Sequence, residues 1–304
     1  MCNAHLDKLT AALKNEKLPA ADRPRLEAAI GRYTKWVAAI ETLKESEGDF
    51  VEGAVKLLND YRLYLDVDLI FDSPDDFLYR QKGQLKLDNS VIEEFLARLV
   101  CPASIPELTG IDMQTGPRSS YSSLFFVSNL ADPKAGGGLN VRKKDQDFAL
   151  SKPLYIKTSH SAAFEPEQTE TVATSITYVA AECKTNLDKT MFQEACATAR
   201  DTKFAVSGAS YFLLCEWLDM IPLSTAATEI DEILLLRKAT RIGASVRSAF
   251  ATREGRIRVR DRYKGYLEEH PFRPEVFQRF IGHIRKLFHD DAPAERDVLE
   301  QGYF

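Results

Sequence analysis

Apolar residues in the first third of the chain recur largely at three- and four-residue steps: Leu6, Leu9, Leu13 and Leu18, then Leu26, Ile30, Tyr33, Val37 and Ile40, then Val51, Val55, Leu58 and Leu65. That spacing puts them on one face of a helix and predicts a bundle of amphipathic helices. Pro24 suits an early helical turn, and Ser90 with Glu93 three residues on reads as a capping box opening a helix from Val91 to Val100. Between Cys101 and Asn140 the pattern loosens. Pro102, Pro106, Pro117 and Pro133 predict a loop-rich connection, with Gly136-Gly137-Gly138 as a flexible linker.

Further on the period shortens. Asp147 followed by Phe148-Ala149-Leu150, then Leu154-Tyr155-Ile156, and later Ile176 to Ala181 predict strands joined into a hairpin through the polar turn Phe164 to Gln168. A polar break, Thr185 to Asp188, leads into a helix from Lys189 to Arg200. Phe204-Ala205-Val206 and Tyr211 to Cys215 read as further buried strands, and Phe277, Phe280, Ile281, Ile284 and Phe288 mark a packing helix from Pro274 to Phe288. The chain therefore reads as a helical N-terminal region, residues 1–110, followed by an α/β core with a mixed central sheet, residues 111–304.

Composition narrows the function classes. Of 304 residues, 44% are hydrophobic, enough for a sizeable core. No apolar run is long enough to span a bilayer, and Met1 to Lys14 carries no secretory h-region, so a cytoplasmic protein without membrane contact is expected. The five cysteines form no C-x-x-C pair and the five histidines show no metal-ligand spacing. The glycine run lacks both the Lys-Ser/Thr ending of a phosphate loop and the spacing of a dinucleotide fold.

Charge is unevenly spread. Asp60 to Asp76 is rich in aspartate, whereas Arg237 to Lys264 holds ten Lys or Arg against two acids in a chain of net charge -5. That local excess points to a polyanionic partner. Arg256, Arg258, Arg260 and Arg262 alternate with Ile257, Val259 and Asp261, so on a strand they would share one face, near Arg253, suited to phosphates or guanine edges. Arg118 and the serines that follow it could also meet phosphates.

The stretch that carries chemistry is Tyr178-Val179-Ala180-Ala181-Glu182-Cys183-Lys184. Glu182 and Lys184 project from one face of the strand, about 6 to 7 Å apart along it, while Cys183 points the other way. A carboxylate can hold a hard cation such as Mg²⁺ and a lysine can orient a water beside it; the alternative reading is a strand-end ion pair on a solvated rim. Asp147, an acid at the start of an adjacent strand, is a candidate second metal ligand. Asp145, Glu165, Glu167 and Glu170 compete with it.

The strand, its Asn/Asp turn and the helix bearing Gln193 and Glu194 together resemble the second half of the PD-(D/E)XK nuclease motif, although no literal Pro-Asp precedes the E-x-K. The resemblance implies that Asp147 and Glu182 bind the metal and that Gln193 supports Lys184. The runs KDQDFALSKPLYIK and YVAAECKTNLDKTMFQEA are similar to the two-subunit type II restriction endonucleases of the BbvCI kind. That likeness implies Mg²⁺-dependent cleavage of double-stranded DNA at a specific short sequence, by a heterodimer in which each subunit cuts one strand. The alternatives are a repair or mobile-element nuclease of the same core, and a DNA-binding protein without catalysis.

Overall fold

The computed structural model describes residues 3–46, 48–289 and 295–302. Its first third is helical, as the spacing predicts. Helices α1 (Ala4–Leu13), α2 (Arg23–Leu43) and α3 (Phe50–Leu63) bury Leu9, Leu26, Ile40, Val55 and Leu58, and Pro24 lies in the first turn of α2. α3 runs on into a π-helical stretch, Tyr64–Phe71, followed by α4 (Phe77–Gln81) and α5 (Ser90–Leu99). The capping box at α5 does not form. Asn89 precedes the first turn, and Glu93 turns to Lys86 and to the Asn89 amide instead.

Five strands then line up in sequence order: β1 (Gln114–Phe126), β2 (Leu139–Ser159), β3 (Thr169–Leu187), β4 (Ser210–Leu218) and β5 (Glu232–Leu235). β1, β2 and β3 are antiparallel neighbours, whereas β3, β4 and β5 run parallel. The expected hairpin is β2 and β3. The chain returns from β3 to β4 through α6 (Lys189–Ala205), whose first turn is capped by Asp188 accepting from the Met191 amide at 2.9 Å.

Several expectations are corrected. Phe204 and Ala205 end α6 rather than forming a strand, and Phe204 is largely exposed. The connection expected to be loops contains β1, an edge strand that tolerates Pro117 where its ladder with β2 shifts register. The glycine run is a tight turn, not a flexible linker. Gly136 and Gly138 have φ of 55° and 65°, and a Cβ on Gly136 would stand 2.7 Å from the Thr158 carbonyl oxygen.

The C-terminal part supplies α7 (Ala244–Arg247), α8 (Arg253–Glu269), α9 (Pro274–Lys286) and α10 (Glu295–Gln301). One hydrophobic cluster runs from Leu9 and Leu26 through Phe95 and Phe148 to Phe212 and Phe280, so the N-terminal helices and α9 share a core with the sheet. A smaller cluster, in which Ala180, Tyr211 and Leu213 meet Phe192 and Ala199, seats α6 on the opposite face. Cys101, Cys183, Cys196 and Cys215 are free thiols, while Cys2 lies outside the described residues. Among the described residues no helix is long and apolar enough to cross a membrane.

The arginine run is helical, which overturns the strand reading. Thr252 caps α8 through the Gly255 amide at 3.3 Å, and Arg256, Arg260 and Leu267 then face inward at helical spacing. Arg256 is 1% exposed and donates to the carbonyls of Phe71, Ser73, Asp75 and Phe250 and to Asp76. Arg260 forms a two-pronged bond to Asp72. Much of the basic excess is thus answered inside the molecule: seven of the ten cations between Arg237 and Lys264 make ion pairs, and three of these, Arg237, Arg256 and Arg260, reach the aspartate-rich segment. Arg253, Arg258 and Arg262 are exposed and make none among the described residues.

Deeper still, Arg62 and Arg237 share Glu216 and Asp66, with Arg62 at 2.6 Å and 3.0 Å from them and Arg237 at 3.2 Å and 3.9 Å. All four are buried, so α3, the π-helical turn, β4 and the segment after β5 meet in one neutral group of charges. Arg256→Ala strips a buried donor from four carbonyls and is expected to destabilise the fold by about 2 to 4 kcal/mol, whereas Arg258→Ala should stay within about 0.5 kcal/mol. Urea unfolding of the two variants checks this; equal midpoints would contradict the assignment.

Candidate active site

The centre lies where β2 and β3 part. Their ladder begins at Phe148 opposite Ala181, and on the far side β2 goes on pairing with β1 while β3 goes on pairing with β4 as far as Leu187. At the fork β2 is irregular. Gly116 faces Ala149 and Arg118 faces Gln146, so Asp147 and Phe148 together oppose Pro117. Such a bulge re-aims side chains. Gln146 turns to Thr202 on α6, Phe148 enters the main core, and Asp147 reaches across the fork to accept the Cys183 amide at 3.0 Å.

Glu182 and Lys184 share one face as the alternation predicts, with 2.7 Å between Lys184 Nζ and Glu182 Oε1. Cys183 is buried in the main core on the other side. The Tyr211 hydroxyl, arriving from the neighbouring parallel strand, donates to Glu182 Oε2 at 2.8 Å. From the helical side, Lys86 Nζ lies 3.2 Å from Asp147 and 3.0 Å from Glu93, and Asn89 bonds both Glu93 and the Cys183 carbonyl. The structure therefore brings Asp147, Glu182 and Lys184 to one place, partly exposed, with Glu93, Lys86 and Tyr211 around them.

The competing glutamates sit elsewhere. Glu170 pairs with Thr158 at the far end of the hairpin, roughly 40 Å from Glu182 along the strand, with Glu165 and Glu167 in the turn beyond it. Asp145 is bonded to Ser119 on the other side of the bulge. Gln193 is exposed and forms no hydrogen bond to Lys184; the α6 residue whose charge Lys184 feels is Glu194. Sequence reading missed Glu93, Lys86 and Tyr211 as site residues. One signal was present: Glu93 is an acid in the apolar run Val91 to Leu96, and it is 3% exposed.

The electrostatics follow from this packing. Burial disfavours the Lys184 ammonium, but the hydrogen bond and charge of Glu182, with Asp147 and Glu194 behind it, outweigh burial and hold its pKa above the ordinary lysine value. Burial, then the Asp147 charge, pushes Glu93 up. Burial, then Glu182, pushes the Tyr211 hydroxyl up, so it stays protonated and donating. Lys184 is accordingly a cation at neutral pH rather than a ready base.

The donor set fits a hard divalent ion. No group of three His, Cys, Asp or Glu closes around a point among the described residues, and Mg²⁺ characteristically takes one or two carboxylates and keeps its waters. Asp147 and Glu182 supply such oxygens, and the two nearby thiols, Cys183 and Cys215, are buried and pushed up by that burial. Beside Asp147 opens a groove of about 430 Å³ that Asp145 and Asp7 line as well, together with Glu93, Lys86, Lys8, Arg118 and Ser119.

A mixed sheet that forks at a carboxylate pair, with a capped crossover helix behind it, defines a restriction-endonuclease-type α/β fold. The family model of the Bpu10I restriction endonuclease matches residues 84–304, and the chain belongs to that family. A solved structure described as "native BbvCI A2B2 tetramer at low resolution" is similar in fold, with a TM-score of 0.58 and 21% identity over 100% of this chain and 99% of that one. No curated protein matches the sequence.

If Asp147 is the metal carboxylate, Asp147→Asn should weaken Mn²⁺ binding on the order of tenfold or more, while Asp145→Asn and Glu165→Gln leave it unchanged. Titration followed by electron paramagnetic resonance of free Mn²⁺ distinguishes them. A loss in Asp145→Asn alone would move the ligand across the bulge.

Proposed function

We propose that this chain is one subunit of a type II restriction endonuclease, which hydrolyses one strand of DNA at the Asp147, Glu182 and Lys184 centre with Mg²⁺ and works beside a second nuclease subunit. The observation that carries the reading is the convergence of Asp147 and Glu182 at the fork, with Lys184 2.7 Å from Glu182. An ion pair serving stability alone would not need a bulge that turns an acid of the next strand toward it.

Each residue then has a role. Asp147 and Glu182 would hold the ion, and Tyr211 fixes the Glu182 carboxylate by donating to it. Mg²⁺, when bound, supplies Lewis-acid polarisation of the phosphoryl oxygen and lowers the pKa of a water. Lys184, kept protonated, orients the attacking water and balances the charge that grows on the phosphoryl oxygens. Arg118, Ser119 and Lys8 line the groove through which a DNA strand reaches the centre. The exposed Arg258 and Arg262, with Arg253 at the start of α8, contact phosphates, whereas Arg256 and Arg260 serve the fold.

The two-subunit reading draws on the family and on the similar BbvCI structure, which is described as an A2B2 tetramer. One centre per chain leaves one strand for each. Lys184→Glu replaces the ammonium with a carboxylate, so the variant reconstituted with an active partner should convert supercoiled plasmid to open circles, the break always in one strand and abolished by chelator. Continued double-strand cleavage would remove Lys184 from the mechanism, and fragments without a fixed end would favour a repair-type nuclease.

The arginine assignment has its own measurement. Arg258→Ala with Arg262→Ala should weaken DNA association and reduce the log-log salt slope by about two units, since each phosphate contact adds roughly one. An unchanged slope would show that the outer face of α8 is merely solvated.

A further inference from the structure

Lys86 is not accounted for by the centre's chemistry as so far described, yet its ammonium is the cation placed between two of the carboxylates. Its Nζ lies 3.0 Å from Glu93 and 3.2 Å from Asp147. The exposures differ sharply: the Lys86 side chain is 42% exposed, Asp147 20% and Glu93 4%. A flexible cation thus spans the mouth of a site whose anions are held from beneath.

The turn that delivers it is fixed on both sides. The Leu87 amide bonds the Lys82 carbonyl at 3.0 Å, Leu87 is fully buried, and Lys82 pairs with Asp88 at 3.1 Å. Asn89 then ties the turn to the Cys183 carbonyl of β3. Lys86 itself has φ of 50°, a left-handed backbone unfavourable for a residue with a Cβ. The surrounding turn holds the residue there and leaves only the long side chain free.

We infer that Lys86 is a tethered counter-ion of the metal centre: its ammonium holds Asp147 and Glu93 together before the divalent ion arrives, competes with that ion, and leaves when it binds. The inference rests on the metal-centre reading above. Without a cation, two close carboxylates in a half-buried site repel each other and spread. With Lys86 in place they stay converged, at the cost of a weaker grip on metal. The displaced ammonium has a destination, because Lys86 also lines the groove of Arg118 and Ser119, where a DNA phosphate would pair with it. Metal loading and DNA loading then favour each other.

The test is metal affinity in the folded protein without DNA, read by electron paramagnetic resonance of Mn²⁺ at fixed salt. Lys86→Gln keeps the length of the side chain and removes the charge; it should bind Mn²⁺ roughly five- to tenfold more tightly, as expected for releasing a half-exposed charge from two partners. Lys86→Arg should stay near the wild type. A lysine that merely braces the turn gives the opposite sign, since loosening the site weakens metal binding, and a thermal melt of each variant confirms that the fold is intact. Unchanged or weaker binding in Lys86→Gln, with Asp147→Asn still weakening it, overturns the counter-ion role and leaves the metal centre standing. Absence of Mn²⁺ binding in both the wild type and Lys86→Gln overturns the metal centre and this inference together.

Discussion

The hydrogen bond from the Cys183 amide to Asp147 governs the architecture of this protein. Where two strands separate, each loses a neighbour, and the backbone groups along the opened edges must find other partners or bear the cost of being buried without them. Here the Asp147 carboxylate takes the Cys183 amide and the Asn89 side chain takes the Cys183 carbonyl, so two side chains replace a strand. The opening they stabilise lets an acid of β2 stand beside the acid and lysine of β3. The proposed metal site and backbone satisfaction are one constraint at this point, and substitution by Asn, which keeps an acceptor, perturbs the second less than substitution by Ala.

The supporting shell follows from which faces are covered. α6 packs on the side of Ala180 and Leu213, placing Glu194 behind Lys184, while α5 covers the other side and places Glu93 behind Asp147. Tyr211 is held by the β4 ladder, in which Ala180 lies opposite it, so its hydroxyl reaches Glu182 without a flexible arm. The proposed centre is thus built on strands and helices, and its two cations are the lysines that reach it from opposite sides.

How much of this could be read from the chain alone depends on the range of the signal. The β2–β3 hairpin, the helix from Lys189 and the shared face of Glu182 and Lys184 rest on local patterns, and the structure contains all three, whereas Thr185 to Leu187, read as a break, continue β3 alongside β4. Asp147 was singled out as an acid at a strand start, but β2 begins at Leu139 and Asp147 lies within it; its turn toward Cys183 depends on a bulge opposite Pro117, which only the pairing of β1 with β2 creates. The arginine run misled because residues four apart share a face on a strand and on a helix alike, as Arg256 and Arg260 do; the Thr252 cap was the discriminating signal. Charge segregation along the sequence suggested an external polyanion, but ion pairs such as Arg260 with Asp72 and Arg256 with Asp76 form between parts of the chain too distant for any local pattern to couple.

The group of charges formed by Arg62, Asp66, Glu216 and Arg237 also bears on how the protein comes into being. Arg62 and Glu216 stand 154 positions apart, so during synthesis α3 emerges long before β4 exists to receive its guanidinium. Burying Arg62 early would leave it with Asp66 as its single carboxylate, an unfavourable arrangement. The N-terminal helices therefore remain open on that side until β4 and the segment carrying Arg237 have left the ribosome, and folding is dominated by contacts between sequence-distant parts, which slows it. A chain halted before residue 237 would lack one of the two cations that balance Glu216 and Asp66, and would hold its helices loosely around an incomplete interior.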